Sequence, residues 1–193
     1  SNAGIQPTVL KLVGTEHFDK GYVNYVKDLV PSLGFAGARY FLSKPVLDCQ
    51  SLMFFSDNSI STTDDFARAE SGEMPQEVYL YVSTNSIYPG MAPEGKQLVY
   101  LGLSCPADPK TDIKPWIDLV ERSVARLWPD IMKYVERKEY YGPAEVSALS
   151  RDSVVPGAGG ECVGLGQIVG QCGRDQPSAK APIRGLFYVG FDA

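Results

Sequence analysis

Histidine is nearly absent from this chain. His17 stands alone, and the four cysteines, Cys49, Cys105, Cys162 and Cys172, form no C-x-x-C pair. That scarcity removes two chemistries. A zinc site needs three or four closely spaced ligands, which this spacing does not supply. A Ser-His-Asp triad would have to be built on His17, which sits between Glu16 and Phe18 in a polar stretch and reads as a solvated side chain. A basic excess is missing as well: 18 Lys and Arg against 23 Asp and Glu leave a net charge of −5. No field therefore draws in nucleic acid or an anionic membrane. Apolar runs stop well short of the roughly 18 residues that a membrane helix needs. Ser1-Asn2-Ala3 leads into polar and turn residues, without the pattern of a secretory signal. These absences describe a soluble, cytoplasmic globular piece whose thiols are reduced.

What is present is enough for a core: 193 residues, 44% hydrophobic and only 21% charged. The pattern predicts a short helix over 7–14 and a second over 19–29, with Tyr22, Val26 and Leu29 on one face before Pro31. Strands follow over 35–42 and 52–55. Thr63 is suited to cap a helix that fades by Gly72. The strongest strand covers 77–83, with Val78, Leu80 and Val82 on one side and Tyr79 and Tyr81 on the other. Both faces are apolar, so it belongs inside a sheet, with 97–104 as its antiparallel neighbour.

A long helix runs over 113–128, with Trp116, Val120, Val124 and Leu127 in one stripe and Asp118–Arg122 as a surface pair. A short helical segment to 135, a strand over 137–141 and a helical turn over 143–149 complete the middle. Seven glycines then fall between 157 and 173, a stretch too flexible to be rigid unless it lies against something larger. The last run, 185–191, reads as an apolar strand. Such a strand needs cover on both faces, so the chain reads as excised from a longer protein. The fold class is α+β: a mixed, mostly antiparallel sheet of five or six strands flanked by helices.

Several segments carry a family resemblance. Pro182-Ile183-Arg184-Gly185-Leu186-Phe187-Tyr188-Val189-Gly190 resembles the C-terminal strand of FAD-dependent oxidoreductases related to phytoene desaturase. Gly159-Gly160, Gly164-Leu165-Gly166-Gln167 and Gly170-Gln171 are similar to the glycine stretch before it. Tyr88-Pro89-Gly90-Met91-Ala92-Pro93-Glu94-Gly95-Lys96 resembles the family's "DPxxAPxGK" hairpin, with Tyr88 where the family has Asp. Ser1-Asn2-Ala3-Gly4 with Pro7-Thr8 resembles its "SNA-x-x-x-T" segment, although that tripeptide is also a common remnant of tag cleavage. The dinucleotide fingerprint GxGxxG after a strand is missing. Gly164-x-Gly166-x-x-x-Gly170 has the wrong spacing for it.

The resemblance implies the substrate-binding half of a two-domain flavoprotein. In it 1–13 lead in from the flavin domain, 14–151 form the substrate-binding domain, and 152–193 are a glycine-rich return and a truncated flavin-domain strand. The longer protein would transfer hydride between an apolar, isoprenoid-like substrate and FAD, while this chain alone would be inactive. Asp192, Gly190 and Asn2 are its implied cofactor residues. Tyr40, Phe54, Tyr79 and Tyr81 are candidates for the substrate wall, with ordinary core packing as the alternative for each. No catalytic residue is assigned, and Glu94, Glu136 and Glu139 read as solvated charges. Desaturation, saturation, isomerisation and amine oxidation all fit such an architecture.

The implied partners are the apolar substrate, the missing flavin domain, and a second copy through exposed apolar surface. The longer protein would be cytoplasmic or peripheral to a membrane. Two other classes stay open: a stand-alone lipid- or isoprenoid-binding module without redox activity, and a partner-binding domain. Outside a flavin domain the run 185–191 should pack irregularly, pair with a second copy or lack order.

Overall fold

Alternation along the middle of the chain builds one sheet. The computed structural model describes residues 1–54, 63–74, 80–84, 88–150, 154–190 and 192. Its strands are β1 (Gly34–Leu42), β2 (Ser51–Phe54), β3 (Leu80–Ser83), β4 (Gln97–Cys105) and β5 (Val135–Tyr141), ordered β2-β3-β4-β1-β5. The pairs β2–β3, β3–β4 and β1–β5 are antiparallel. The fold is thus α+β, an antiparallel sheet flanked by helices, and β3 and β4 lie inside the sheet as their two-faced sequences require. The part of the expected strand over 77–79, with Val78 and Tyr79, lies outside the described residues.

The chain divides into two compact units. The sheet unit comprises Phe35–Cys105 and Asp112–Gly142; the end unit comprises Ser1–Gly34, Pro106–Thr111 and Pro143–Ala193.

In the sheet unit one face is dry. Ala36, Ala38, Tyr40 and Leu42 of β1, Leu80 and Val82 of β3, and Val99, Leu101, Leu103 and Cys105 of β4 form a single buried cluster with Trp116, Leu119, Val120 and Val124. The last four sit on helix α4 (Lys114–Leu127), whose stripe recurs at helical spacing. Each fully buried Val or Leu side chain here stabilises the unit by about 1.5–3 kcal/mol relative to exposure. On the helix surface Asp118 pairs with Lys114 at 2.7 Å, one turn back from the expected Arg122. Buried Gln97, at the start of β4, accepts from the backbone N–H groups of Val46 and Leu47 at 2.9 and 3.0 Å and donates to the Leu47 carbonyl at 2.6 Å. One amide thereby satisfies three backbone groups of a segment that lies outside the strands. Helix α3 (Thr63–Glu70) belongs to this unit.

The end unit is built differently. The helix expected over 7–14 starts earlier, as α1 (Ile5–Pro7), and widens into a π-helix over Thr8–Val13. Helix α2 (Lys20–Asp28) is capped by Asp19, whose carboxylate accepts from the Tyr22 N–H at 2.9 Å. The buried Gln6 amide donates to the Val26 and Leu29 carbonyls at the other end of α2, at 3.1 and 2.8 Å. Ile5, Val9, Phe18, Val23, Val26, Leu29, Leu165, Ala181 and Tyr188 form its core. Helix α5 (Pro143–Ser150) also belongs to this unit.

The glycine-rich stretch lies against an extended segment, 30–34. Gly166 N–H donates to the Val30 carbonyl at 2.8 Å, Ser32 N–H to Gly164 at 2.7 Å, and Cys162 N–H to Leu33 at 3.1 Å. Gln171 adds a clasp, accepting from the Val30 N–H at 2.8 Å and donating to the Val30 and Gly166 carbonyls.

The strand expected over 185–191 is not formed among the described residues. Gly185, at φ 85°, turns the chain so that Ala181 N–H meets the Leu186 carbonyl at 3.2 Å, and one bridge joins Lys180 to Phe187. The chain is bent back on itself after Pro182 and packs irregularly here.

Candidate functional site

Two places gather the residues that the sequence singled out, one in each unit. In the end unit the chain termini meet. The Ser1 amine donates to the Phe187 carbonyl at 2.6 Å and the Val189 N–H donates to Ser1 O at 2.9 Å. Asn2 comes beside Gly190, which has φ 117°; a Cβ there would lie 3.0 Å from Asn2 Oδ1. Asp192, 5% exposed, accepts from the Ile5 N–H at 2.8 Å, the first amide of α1. Asn2, Gly190 and Asp192 therefore share one small region. Gln6, Glu161 and Asp192 also line a cavity of about 20 Å³, room for a single water. Nearby in this unit the Tyr22 and Tyr188 hydroxyls meet at 2.9 Å.

In the sheet unit the four aromatic candidates divide by face. Tyr40 is fully buried in the cluster under α4, and Phe54 packs edge-on against Trp128 at 5.5 Å between ring centres. Tyr81 alternates onto the opposite face, where it meets Phe35 edge-to-face at 6.3 Å. Tyr79 lies outside the described residues. So Tyr40 and Phe54 share one side of the sheet and Tyr81 the other.

The face that carries Tyr81 is rich in chemistry the sequence reading did not single out. The strand registers set Met53 opposite Tyr81, Tyr81 opposite Gly102, Gly37 opposite Tyr141, and Arg39 opposite Glu139. The Arg39 guanidinium lies 5.7 Å from the centre of the Tyr100 ring and 5.4 Å from that of Tyr141, within cation–π range of both. Its Nη1 reaches Glu139 at 3.2 Å. Glu139 is not simply a solvated charge, because Arg137 bonds the same carboxylate and also lies 4.7 Å from the Phe41 ring. Burial, chiefly, pushes the Tyr141 phenol up to about 12, with Arg39 opposing. Of the other acids considered, Glu136 pairs with Lys96 at 2.7 Å, and Glu94 is exposed.

On the helix-covered side, one Glu121 oxygen accepts three bonds, from Tyr40 at 3.1 Å, Tyr140 at 3.0 Å and Lys138 at 2.7 Å. Partial burial would raise its pKa, but these donors outweigh that and hold it below the usual value.

The hairpin over 88–96, with Pro45, Leu47 and Asp48, frames an open cleft of about 730 Å³. Tyr88 donates to Gln50 at 2.8 Å. Among the described residues no cluster of three or more His, Cys, Asp or Glu could hold a metal, and no helix is long and apolar enough to cross a membrane.

No family model matches this chain, and no curated protein matches it. Among solved structures, the PF1083 protein from Pyrococcus furiosus is 18% identical over 73% of this chain and 30% of its own, with a TM-score of 0.38. An oxidoreductase from Methanosarcina mazei is 17% identical, covering 100% of this chain and 37% of that one with a TM-score of 0.60. The chain thus spans little more than a third of that protein's length, and it has the fold of that part of an oxidoreductase.

Proposed function

We propose that this chain is the substrate-binding part of an FAD-dependent oxidoreductase related to phytoene desaturase, acting on an apolar, isoprenoid-like substrate. The observation that carries the reading is the fold held in common, over the whole chain, with part of an oxidoreductase. Asn2, Gly190 and Asp192 support it. Backbone without a side chain at Gly190, beside the Asn2 amide and close in sequence to Asp192, is the kind of position that lets a dinucleotide approach the main chain. FAD, when bound, would take up a hydride from the substrate or return one. The residues of this chain would bind and orient the substrate and exclude water from it.

The test compares this chain with the product of its complete gene, each purified and incubated with FAD. The reading expects the two visible absorption bands of oxidised flavin in the longer product only, and their bleaching on reduction. A complete gene that encodes no more than this chain, or a longer product that takes up no flavin, overturns it. The aromatic sheet face favours a second reading in that event, a lipid- or isoprenoid-binding module without redox activity, because that face is complete within one unit.

A further inference from the structure

The face of the sheet opposite α4 has an unusual make-up. An apolar binding surface needs aromatic and aliphatic side chains, and Phe35, Phe41, Met53, Tyr81 and Tyr100 provide them; all are half-buried except Met53, which is exposed. Near its middle the face carries a guanidinium. Arg39 is held there deliberately: its Nη1 is tied to Glu139 and its plane lies within reach of two tyrosine rings. Its Nε is buried and, among the described residues, has no oxygen acceptor. An arginine that served only solubility would extend its head into water instead.

Charge points to what such a residue could meet. Arg39 and Arg137 share the single carboxylate of Glu139, so two positive charges and one negative leave one positive charge in excess. The Arg39 side chain is 39% exposed, and with Nε enclosed and one N–H of Nη1 given to Glu139, the guanidinium offers its remaining terminal N–H groups. One surplus charge matches a monoanion better than a phosphate dianion, and the planar fork of a guanidinium matches a carboxylate in shape.

We propose that this sheet face binds an amphipathic small molecule bearing one carboxylate, with Arg39 taking the carboxylate and Phe35, Tyr81 and Tyr100 supporting the apolar body. The oxidoreductase reading is needed only to call that molecule a substrate; the binding does not depend on it. Within that reading, Arg39 narrows the substrate from an apolar hydrocarbon to an apolar acid.

All-trans-retinoic acid and all-trans-retinol are suitable probes, since they share a polyene body and differ in the carboxylate. Binding to the 193-residue chain is followed by quenching of protein fluorescence, without flavin. The proposal expects the acid to bind about tenfold more tightly than the alcohol, and that advantage to shrink as salt is added. Arg39→Gln should remove the preference for the acid over the alcohol, and Arg39→Lys should restore part of it. Circular dichroism establishes that each variant is folded, and the wild-type comparison and its salt dependence stand without any variant. Equal binding of acid and alcohol, binding of neither, or an undiminished preference in folded Arg39→Gln overturns the proposal. A flavin-free longer product with the acid preference intact would sink the redox reading alone.

Discussion

The Tyr141 hydroxyl donates to the Leu101 carbonyl at 3.0 Å, bridging from the end of β5 to β4 across β1. The ring can lie there because glycines stand beneath it. A Cβ on Gly102 would come within 2.6 Å of the Tyr141 oxygen and 2.7 Å of the Phe35 ring. A Cβ on Gly37 would collide with the Leu101 carbonyl oxygen itself. Tyr141→Phe should therefore cost about 1 kcal/mol, the worth of one hydrogen bond. Gly37→Ala should cost more than about 3 kcal/mol, because backbone has to move. Urea unfolding of the two variants measures both, and equal effects would contradict the arrangement.

Glu121 gives the sheet unit a pH dependence of definite sign. Its pKa is held below the ordinary value in the folded state, so its ionised form stabilises the fold above the usual carboxylate range, and this contribution is lost as pH falls through the folded pKa. Glu121→Gln should lower stability by about 1–2 kcal/mol at neutral pH. The gap to wild type should close in acid. Unfolding free energies across that pH range provide the measurement; a gap that widens in acid would refute the role.

Gln97 should matter more than a polar residue at a strand end normally does. Its amide makes three bonds to the backbone of Val46 and Leu47. Gln97→Ala strands a buried donor, a part-buried donor and a buried acceptor, at a cost of about 2–4 kcal/mol. Hydrogen exchange should show the Val46 and Leu47 amides losing protection before those of β4.

Asp192→Ala should release the Ile5 amide, which the carboxylate now accepts at 2.8 Å. Faster exchange at Ile5, with protection in α2 retained, is the expected result. Asp192→Asn, which keeps an acceptor oxygen, should largely restore the wild-type rate.

Much of the sheet and its covering helix could be read from local patterns. The parity of Val99, Leu101 and Leu103, and the helical stripe of Trp116, Val120 and Val124, each encode burial within one element, and the structure follows them. The aromatic candidates show where parity stops helping. A two-faced strand such as β3 says that both sides are apolar, not which side meets a helix, so Tyr40 and Tyr81 looked alike. Arg39 was overlooked for a different reason. Its carboxylate partner lies 100 positions away, and its place among Tyr100 and Tyr141 exists only once β1, β4 and β5 are in register. Its parity with Phe35 and Phe41 was the one local signal. The run 185–191 misled because a continuous apolar run says nothing of the turn that Gly185 imposes at its start.

Ser1 and Val189 are one hydrogen bond apart, so the polypeptide arrives and departs at a single place. A path that closes on itself in this way can be reopened elsewhere. Joining Asp192 to Ser1 by a short linker and placing new ends at exposed Gly90, in the hairpin after β3, would change no pairing in the sheet and no packing around α2. Such a permuted chain separates what the order of the residues contributes from what their contacts contribute, and here the contacts alone should suffice.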